Sequence, residues 1–323
     1  MTKHIYITRK IPEAGLKLLR EKGITYDMGT KKTPPTKKEI VKALKQKKYD
    51  GIISFLTDTI DAEVIDACPT VQICANFAVG YNNICTEEAK KRNVCVTNTP
   101  GTSNTAVAEH TVALMFALTT RLVEGDRFMR KGKYKGWDPD LLIGTDMKGK
   151  TIGIIGGGQI GSQVAKMLHN GFEVNLIYSD VVPNEELEKT YGATRRETAE
   201  LLKEADIVTL HVPLLPSTTH LINAASLATM KTTAFIINTS RGPVIDEKAL
   251  VAALKKGTIK GAALDVYEFE PKLTPGLNKL SNVVLTPHIA SSRTTARNMM
   301  AEIASKNIIA VLDGGQPLNS VIK

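Results

Sequence analysis

Three side chains that suit acid–base and anion chemistry each follow an apolar segment typical of a buried strand. Arg241 follows AFIINTS, Glu270 follows LDVYEF, and His288 follows VVLTP. Open α/β sheets bind ligands outside the carboxyl ends of their strands, so the three residues are expected to meet at one site. A guanidinium holds a carboxylate, a histidine transfers a proton, and a carboxylate beside the histidine fixes its tautomer. The set predicts reduction of a 2-oxo acid, given a source of hydride.

Each of these residues also has a purely structural interpretation. Arg241 could cap a helix, Glu270 stands before Pro271 in what could be an exposed turn, and His288 could be a satisfied histidine after a buried strand. Their joint occurrence after strands of one predicted sheet favours the catalytic interpretation.

A glycine-rich segment predicts where the hydride source binds. The sequence TIGIIGGGQIG at 151–161 reads as a buried strand, a tight turn and the start of a helix. Its glycines permit the turn, the approach of backbone to a pyrophosphate and close helix packing, and the N–H groups at the helix start attract the diphosphate. The predicted cofactor contacts in this segment are Gly156, Gly158, Gln159, Ile160 and Gly161.

An acidic residue after the next predicted strand bears on which cofactor is used. EVNLIY at 173–178 precedes Asp180. At this position a carboxylate is expected to accept hydrogen bonds from both hydroxyls of the adenosine ribose. A 2′-phosphate would meet this negative charge, so NAD(H) is favoured over NADP(H). Lys189, Arg195 and Arg196 follow closely, however, and a basic side chain that folds back would weaken this preference.

Length and composition limit the classes of protein. The 323 residues suffice for two domains, 23% of them are charged, and no apolar run approaches the roughly 20 residues of a membrane helix. The N-terminus lacks a signal-peptide core, which predicts a cytoplasmic protein. Much of the net charge of +9 comes from lysines at 31–48 without interleaved aromatic residues, so neither nucleic acid nor a membrane is an expected partner. The four cysteines match no zinc pattern, and no metal is expected.

The alternation of apolar and helical segments predicts two α/β units. The first hundred residues form a small one, and a long helix is expected from 102. Six later strands separated by helical stretches predict a doubly wound parallel sheet. These strands are expected at 151–155, 174–178, 207–210, 234–238, 262–264 and 283–285. A last helical stretch at 292–312 could return to the first unit.

Seven motifs in one order give the chain a family resemblance. They are NFAVGYNNI at 76–84, TNTPG at 97–101, GGGQIG at 156–161, HVPLLPST at 211–218, NTSRGPVID at 238–246, GAALDVYEFEP at 261–271 and TPHIAS at 286–291. With these motifs the chain, over essentially its whole length, resembles the D-isomer-specific 2-hydroxyacid dehydrogenases. The resemblance implies a Rossmann NAD-binding domain at 101–287, inserted in a smaller flavodoxin-like α/β substrate domain made of 1–100 and 288–323.

The resemblance also implies roles for individual residues. Arg241 would bind the carboxylate and keto groups of the substrate, His288 would donate the proton in reduction, and Glu270 would orient His288. Asp265 would hydrogen-bond the carboxamide of the nicotinamide. The remaining cofactor contacts would be Val212, Pro213, Thr239, Ser240, His288 and Ala290.

A glycine-containing turn after an apolar strand resembles the family loop that receives the substrate carboxylate. In this sequence it comprises Ala78, Val79 and Gly80. Successive backbone N–H groups suit an anion, although turn chemistry alone also fits a simple connection between a strand and a helix.

The segment around the single tryptophan narrows the substrate class. GWDPDLLIG, which contains Trp137, resembles the glyoxylate and hydroxypyruvate reductases of the family, in which a tryptophan from the neighbouring subunit helps to close the pocket. The resemblance implies NADH-dependent reduction of glyoxylate, with hydroxypyruvate as a further substrate, by a homodimer built on the long helix. A structural role for Trp137 stays open. So do three other functions: D-lactate dehydrogenase, D-3-phosphoglycerate dehydrogenase and a non-enzymatic NADH-sensing co-repressor of the same fold.

Overall fold

A computed structural model describes residues 2–322 of the chain, which form two compact units. The first unit comprises the residues up to Ser103 together with those from Ser292 onward, and the second comprises Asn104–Ser291. The boundaries expected from the sequence, after 100 and after 287, lie three and four residues before the boundaries in the structure.

Local hydrogen bonds explain where the two units begin and end. The hydroxyl of Thr102 donates to the carbonyl of Thr99, which keeps this turn with the first unit. The N–H groups of Ile289 and Ala290 donate to the carboxylate of Asp265. Residues 288–290 therefore belong to the second unit.

Twelve strands and twelve α-helices are numbered along the described residues. The strands are β1 (His4–Ile7), β2 (Thr25–Met28), β3 (Gly51–Phe55), β4 (Ile73–Phe77), β5 (Cys95–Thr97), β6 (Thr151–Ile155), β7 (Asn175–Ser179), β8 (Thr194–Arg195), β9 (Ile207–Leu210), β10 (Phe235–Asn238), β11 (Gly261–Leu264) and β12 (Val283–Leu285). The helices are α1 (Glu13–Glu21), α2 (Lys37–Leu44), α3 (Ala62–Asp66), α4 (Thr86–Lys91), α5 (Asn104–Thr119), α6 (Leu122–Arg130), α7 (Gln159–Gly171), α8 (Glu185–Tyr191), α9 (Thr198–Glu204), α10 (Ala224–Thr229), α11 (Glu247–Lys256) and α12 (Thr294–Leu312).

The first unit is a five-stranded parallel sheet with the strand order β2-β1-β3-β4-β5. This is the flavodoxin-like order, and the residues of the inner strands β3 and β4 are nearly all buried. The C-terminal helix α12 packs against α1 on one face. The two helices are in close contact, since a Cβ built on Gly15 would lie only 2.7 Å from the carbonyl oxygen of Ala301. A glycine is therefore needed where the two helix backbones meet.

The second unit is a seven-stranded parallel sheet with the order β12-β11-β10-β9-β6-β7-β8. The strand order reverses between β6 and β9, as in doubly wound dinucleotide-binding folds. The predicted fold class, two α/β domains with a Rossmann sheet inserted in a smaller flavodoxin-like unit, is confirmed. All six predicted strands are present. The sequence analysis missed β8 because this strand has two exposed residues and no apolar pattern.

The long helix expected from 102 is two helices. α5 ends at Thr119 and α6 begins at Leu122, and the two axes differ by 61°. Arg121, at the break, has a positive φ of 55°, which an α-helix does not accommodate. Within residues 2–322 no single helix has the length and apolar character to cross a membrane, and α5 and α6 meet that length and composition only as this bent pair.

Candidate active site

The glycine-rich segment forms the turn between β6 and α7. Gly156 has a φ of 100°, and a Cβ there would lie 2.6 Å from the carbonyl carbon of His211. A Cβ on Gly161 would lie 2.1 Å from the carbonyl oxygen of Gly156. These two glycines are required by chain packing alone.

Gly158 differs from the other two glycines, because a Cβ built on it meets no protein atom within 4 Å. It is also the N-cap of α7, and no side chain caps this helix. The N–H groups of Gln159 and Ile160 in the first helical turn therefore border open space. This donor set, at the positive end of a 13-residue helix, fits a diphosphate.

Asp180 lies directly after β7 and is held against the glycine turn. Its Oδ2 accepts a hydrogen bond of 2.7 Å from the N–H of Gly157. Arg195, on β8, folds back and donates to the carbonyl oxygen of Asp180 at 2.9 Å. The other two basic residues named in the sequence analysis form ion pairs with acidic side chains: Lys189 with Glu185 and Arg196 with Glu204.

Glu270 and His288 form a hydrogen-bonded pair in the segments that follow β11 and β12. Nδ1 of His288 lies 2.9 Å from Oε2 of Glu270, and Oε1 of Glu270 accepts from the N–H of Tyr267 at 3.0 Å. Burial opposes ionisation of Glu270. The hydrogen bond and charge of His288, the Tyr267 N–H and the charge of Arg241 outweigh it and hold the pKa of Glu270 below its usual range. The carboxylate is thus ionised beside the histidine.

Arg241 follows β10 at the same edge of the sheet. Its Nη1 donates to the carbonyl oxygen of Ser240 at 2.7 Å. Burial lowers the pKa of the Arg241 guanidinium, and the charge of Glu270 opposes this effect. The structure therefore brings a cation, a carboxylate and a histidine together at the carboxyl ends of three neighbouring strands.

Asp265, predicted to bind the nicotinamide, accepts hydrogen bonds from residues that follow β12. Its Oδ1 accepts from the Thr286 hydroxyl at 2.6 Å and from the N–H of Ile289 at 2.8 Å, and its Oδ2 accepts from the N–H of Ala290 at 2.8 Å. Burial works to raise the pKa of Asp265, but the nearby His110 and these hydrogen bonds hold the pKa below its usual value. Asp265 therefore anchors the segment that carries His288.

His110 is a member of this cluster that the sequence analysis missed. Its Nε2 lies 3.1 Å from the Thr286 hydroxyl and 3.6 Å from Oδ1 of Asp265. It lies within α5, 176 positions before Thr286. No local sequence signal distinguishes it, because only the packing of α5 on the sheet brings it to the site.

The other predicted cofactor positions lie at the same sheet edge. Val212 and Pro213 follow β9, while Thr239 and Ser240 follow β10. The N–H and hydroxyl of Ser240 both donate to Asn238, which fixes this turn. Among residues 2–322, no group of three or more His, Cys, Asp or Glu side chains is placed to hold a metal ion.

In the first unit, the predicted carboxylate-binding turn follows β4. The carbonyl oxygens of Ala78, Val79 and Gly80 accept hydrogen bonds from the Thr99 N–H at 3.0 Å, the Asn98 side chain at 2.7 Å and the Asn76 side chain at 2.9 Å. The C=O and N–H of one peptide point in opposite directions. The carbonyls are therefore tied to the protein, and the adjoining N–H groups point away from these partners.

Trp137 is not among the residues that the chain brings to this site. It lies in the segment between α6 and β6 and its side chain is 84% exposed.

The two parallel sheets, the glycine turn and the Arg–Glu–His set define a dinucleotide-dependent oxidoreductase. The family model described as "D-isomer specific 2-hydroxyacid dehydrogenase, NAD binding domain" matches residues 112–290. The chain belongs to the family of D-isomer-specific 2-hydroxyacid dehydrogenases, as the resemblance predicted.

Similar proteins agree over nearly the whole length. A glyoxylate reductase of Thermofilum pendens is 46% identical over 97% of this chain and 92% of its own. A solved structure of a Thermus thermophilus protein is 40% identical, with a TM-score of 0.92 over 99% of this chain and 100% of its own. An NADPH-dependent glyoxylate/hydroxypyruvate reductase of Sinorhizobium meliloti, solved with NADP and malonate, is 29% identical, with a TM-score of 0.85 over 99% and 97% of the two chains.

Proposed function

We propose that this enzyme reduces glyoxylate to its 2-hydroxy acid with NADH, and that hydroxypyruvate is a further substrate. The observation that carries the proposal is the 2.9 Å contact between His288 and Glu270, with Arg241 at the same sheet edge as the glycine turn. The 46% identity to a glyoxylate reductase supports the choice of substrate.

The residues would divide the chemistry as follows. NADH, when bound, would supply a hydride for the carbonyl carbon of the substrate. Arg241 binds the carboxylate and draws electron density towards the keto oxygen, and the amides of 78–80 hold the same carboxylate. Because Nδ1 of His288 is engaged by Glu270, Nε2 is the nitrogen that delivers the proton to the keto oxygen. The hydride and this proton together convert the carbonyl to a hydroxyl.

A labelled cofactor tests this reaction directly. The purified protein would be incubated with glyoxylate and NADH that carries deuterium in place of both hydrogens at C4 of the nicotinamide. We expect deuterium on C2 of the hydroxy acid, seen by NMR of the product. If glyoxylate stays unreacted and NADH is not oxidised, the proposal is overturned.

NADH is proposed as the preferred cofactor because Asp180 presents a carboxylate beside the glycine turn. Arg195 works against a strict preference, since its guanidinium lies at the carbonyl of the same residue and suits a 2′-phosphate. A relative that uses NADPH occurs among the similar structures. We therefore propose a preference for NADH with measurable use of NADPH.

We also propose a homodimer. Large apolar side chains are exposed on α6 and in the segment that follows it, where a second copy would cover them. They are Leu122, Met129, Tyr134, Trp137 and Ile143. Trp137 would then contribute to the neighbouring copy's substrate pocket. The cytoplasmic location and the absence of a nucleic-acid partner stay predictions from the sequence.

A further inference from the structure

Two arginines of the first unit are half-buried and form no ion pair with any described residue. Arg9 follows β1, and Arg297 lies in the first turns of α12. Arg9 donates to the Thr57 hydroxyl at 2.9 Å, and Arg297 donates to the Ser292 hydroxyl at 3.2 Å. Among residues 2–322, no carboxylate lies within ion-pair distance of either guanidinium. Both positive charges are thus held by neutral hydroxyls.

The two positive charges interact unfavourably. Burial lowers the pKa of Arg297, and the positive charge of Arg9 lowers it further. In addition, Nε of Arg9 is buried and has no hydrogen-bond partner within the described part of the chain. Buried cations without a counter-ion are costly, and an oxyanion between them would remove this cost.

Asp58 interacts electrostatically with Arg9 but forms no ion pair with it. Asp58 is fully buried, and its carboxylate accepts from the Thr8 hydroxyl and, at 2.8 Å, from the N–H of Phe55. Burial raises the pKa of Asp58, while its hydrogen bonds and the positive charge of Arg9 act in the opposite direction. The start of the 19-residue helix α12, which no side chain caps, adds partial positive charge near Arg297.

The pair is connected to the turn at 78–80. The Arg9 guanidinium stacks on the ring of Phe55, 4.4 Å from its centroid, and this ring lies 5.0 Å from that of Phe77. Phe77 is the last residue of β4 and directly precedes the turn. The side chain of Asn83 also donates to the carbonyl oxygens of Phe55 and Asp58, both at 3.0 Å. The pair and the turn therefore share one edge of the first unit's sheet.

We propose that Arg9 and Arg297 form an oxyanion-binding site beside the 78–80 turn, and that it takes the second carboxylate of a dicarboxylic 2-oxo acid. The assignment to a substrate group rests on the proposed function, whereas the anion site itself does not. A free inorganic oxyanion has the same chemistry and is the other source to be distinguished. Glyoxylate has a single carboxylate and would leave the pair vacant.

Thermal stability in inorganic phosphate tests the site without any turnover. Tm would be measured with rising phosphate at constant ionic strength, with saturating NADH to occupy the glycine turn. Wild type and Arg20→Gln are expected to rise in Tm, since Arg20 is an exposed arginine of the same unit that pairs with Glu13. Arg9→Gln and Arg297→Gln should lose this rise. Equal rises in all four proteins, or none in wild type, would overturn the site.

A variant that keeps the positive charge controls for misfolding of the glutamine variants. Arg297→Lys should retain part of the phosphate-dependent rise, because a point charge replaces the planar fork. Direct titration calorimetry of wild type with phosphate needs no variant. Absence of binding heat at millimolar phosphate would likewise overturn the site.

Oxaloacetate and pyruvate, which differ by one carboxylate, show whether the site binds a carboxylate of the substrate or a free inorganic oxyanion. We expect wild type and Arg20→Gln to have a higher kcat/KM for oxaloacetate than for pyruvate. The ratio should fall about tenfold or more in Arg9→Gln and Arg297→Gln, as for loss of a charged hydrogen bond. A phosphate effect with an unchanged ratio would overturn the substrate assignment and leave a free-anion site. If no oxo acid is turned over, the proposed function fails while the phosphate experiment still decides the site.

Discussion

At the scale of single residues, the site depends on two carboxylates that act on different parts of one segment. Glu270 engages the ring of His288 through Nδ1. Asp265 holds the backbone around that histidine through the N–H groups of Ile289 and Ala290. His288 itself has a φ of 54°, which is uncommon for a residue with a side chain. The fixed backbone is what maintains this conformation.

Removal of His288, the proposed proton donor, should lower catalysis far more than it weakens cofactor binding. His288→Ala is expected to lower kcat for glyoxylate by about 10² to 10⁴, the usual range for a general acid. His169→Ala, a surface histidine of α7, is the control. Steady-state kinetics and a fluorescence titration with NADH provide both readouts. A near-normal kcat in His288→Ala would rule out the donor role.

Asp265 should make stability depend on pH. Its pKa in the folded protein is lowered, so its contribution is fully present above the unfolded pKa of about 3.9 and is lost as pH falls through the folded value. Asp265→Asn is therefore expected to reduce the free energy of unfolding by about 2 to 3 kcal/mol at neutral pH, with a smaller difference below about pH 4. Urea unfolding at several pH values measures this. A difference independent of pH would contradict the account.

At the scale of elements, buried strands were predictable and long-range contacts were not. The six strands at 151–285 that the sequence indicated are apolar runs, and each is present in the sheet. The edge strand β8 is polar and short, and a positive φ at Arg121 divides the expected long helix. Arg241, Glu270 and His288 could be proposed because each follows a strand. His110 could not, because its position depends on how α5 packs.

The short strand β8 should influence the choice of cofactor. Arg195→Gln is expected to lower the ratio of kcat/KM for NADPH to that for NADH, because it removes the guanidinium beside Asp180. Asp180→Asn should raise the same ratio by removing a negative charge. Arg196→Gln is the matched control, since Arg196 pairs with Glu204. If Arg195→Gln and Arg196→Gln leave the ratio equally unchanged, Arg195 has no part in cofactor selection.

At the scale of the whole molecule, a second copy is expected to cover the exposed apolar side chains of α6 and its following segment. Light scattering should give twice the mass of the 35.1 kDa chain. Met129→Lys, on α6, should weaken this association, and Lys166→Glu, on α7, should not. A single-chain mass for wild type at micromolar concentration would contradict the homodimer.

The measurement that tests the central claim most directly is the rate of NADH oxidation by the purified protein with four acids side by side: glyoxylate, hydroxypyruvate, pyruvate and 3-phosphohydroxypyruvate. The account predicts the highest kcat/KM for glyoxylate, clear turnover of hydroxypyruvate, and slower rates when NADPH replaces NADH. Faster reduction of pyruvate or of the phosphorylated acid would instead indicate a lactate or phosphoglycerate dehydrogenase. Binding of NADH without turnover of any of the four acids would contradict the enzymatic account and favour a cofactor sensor.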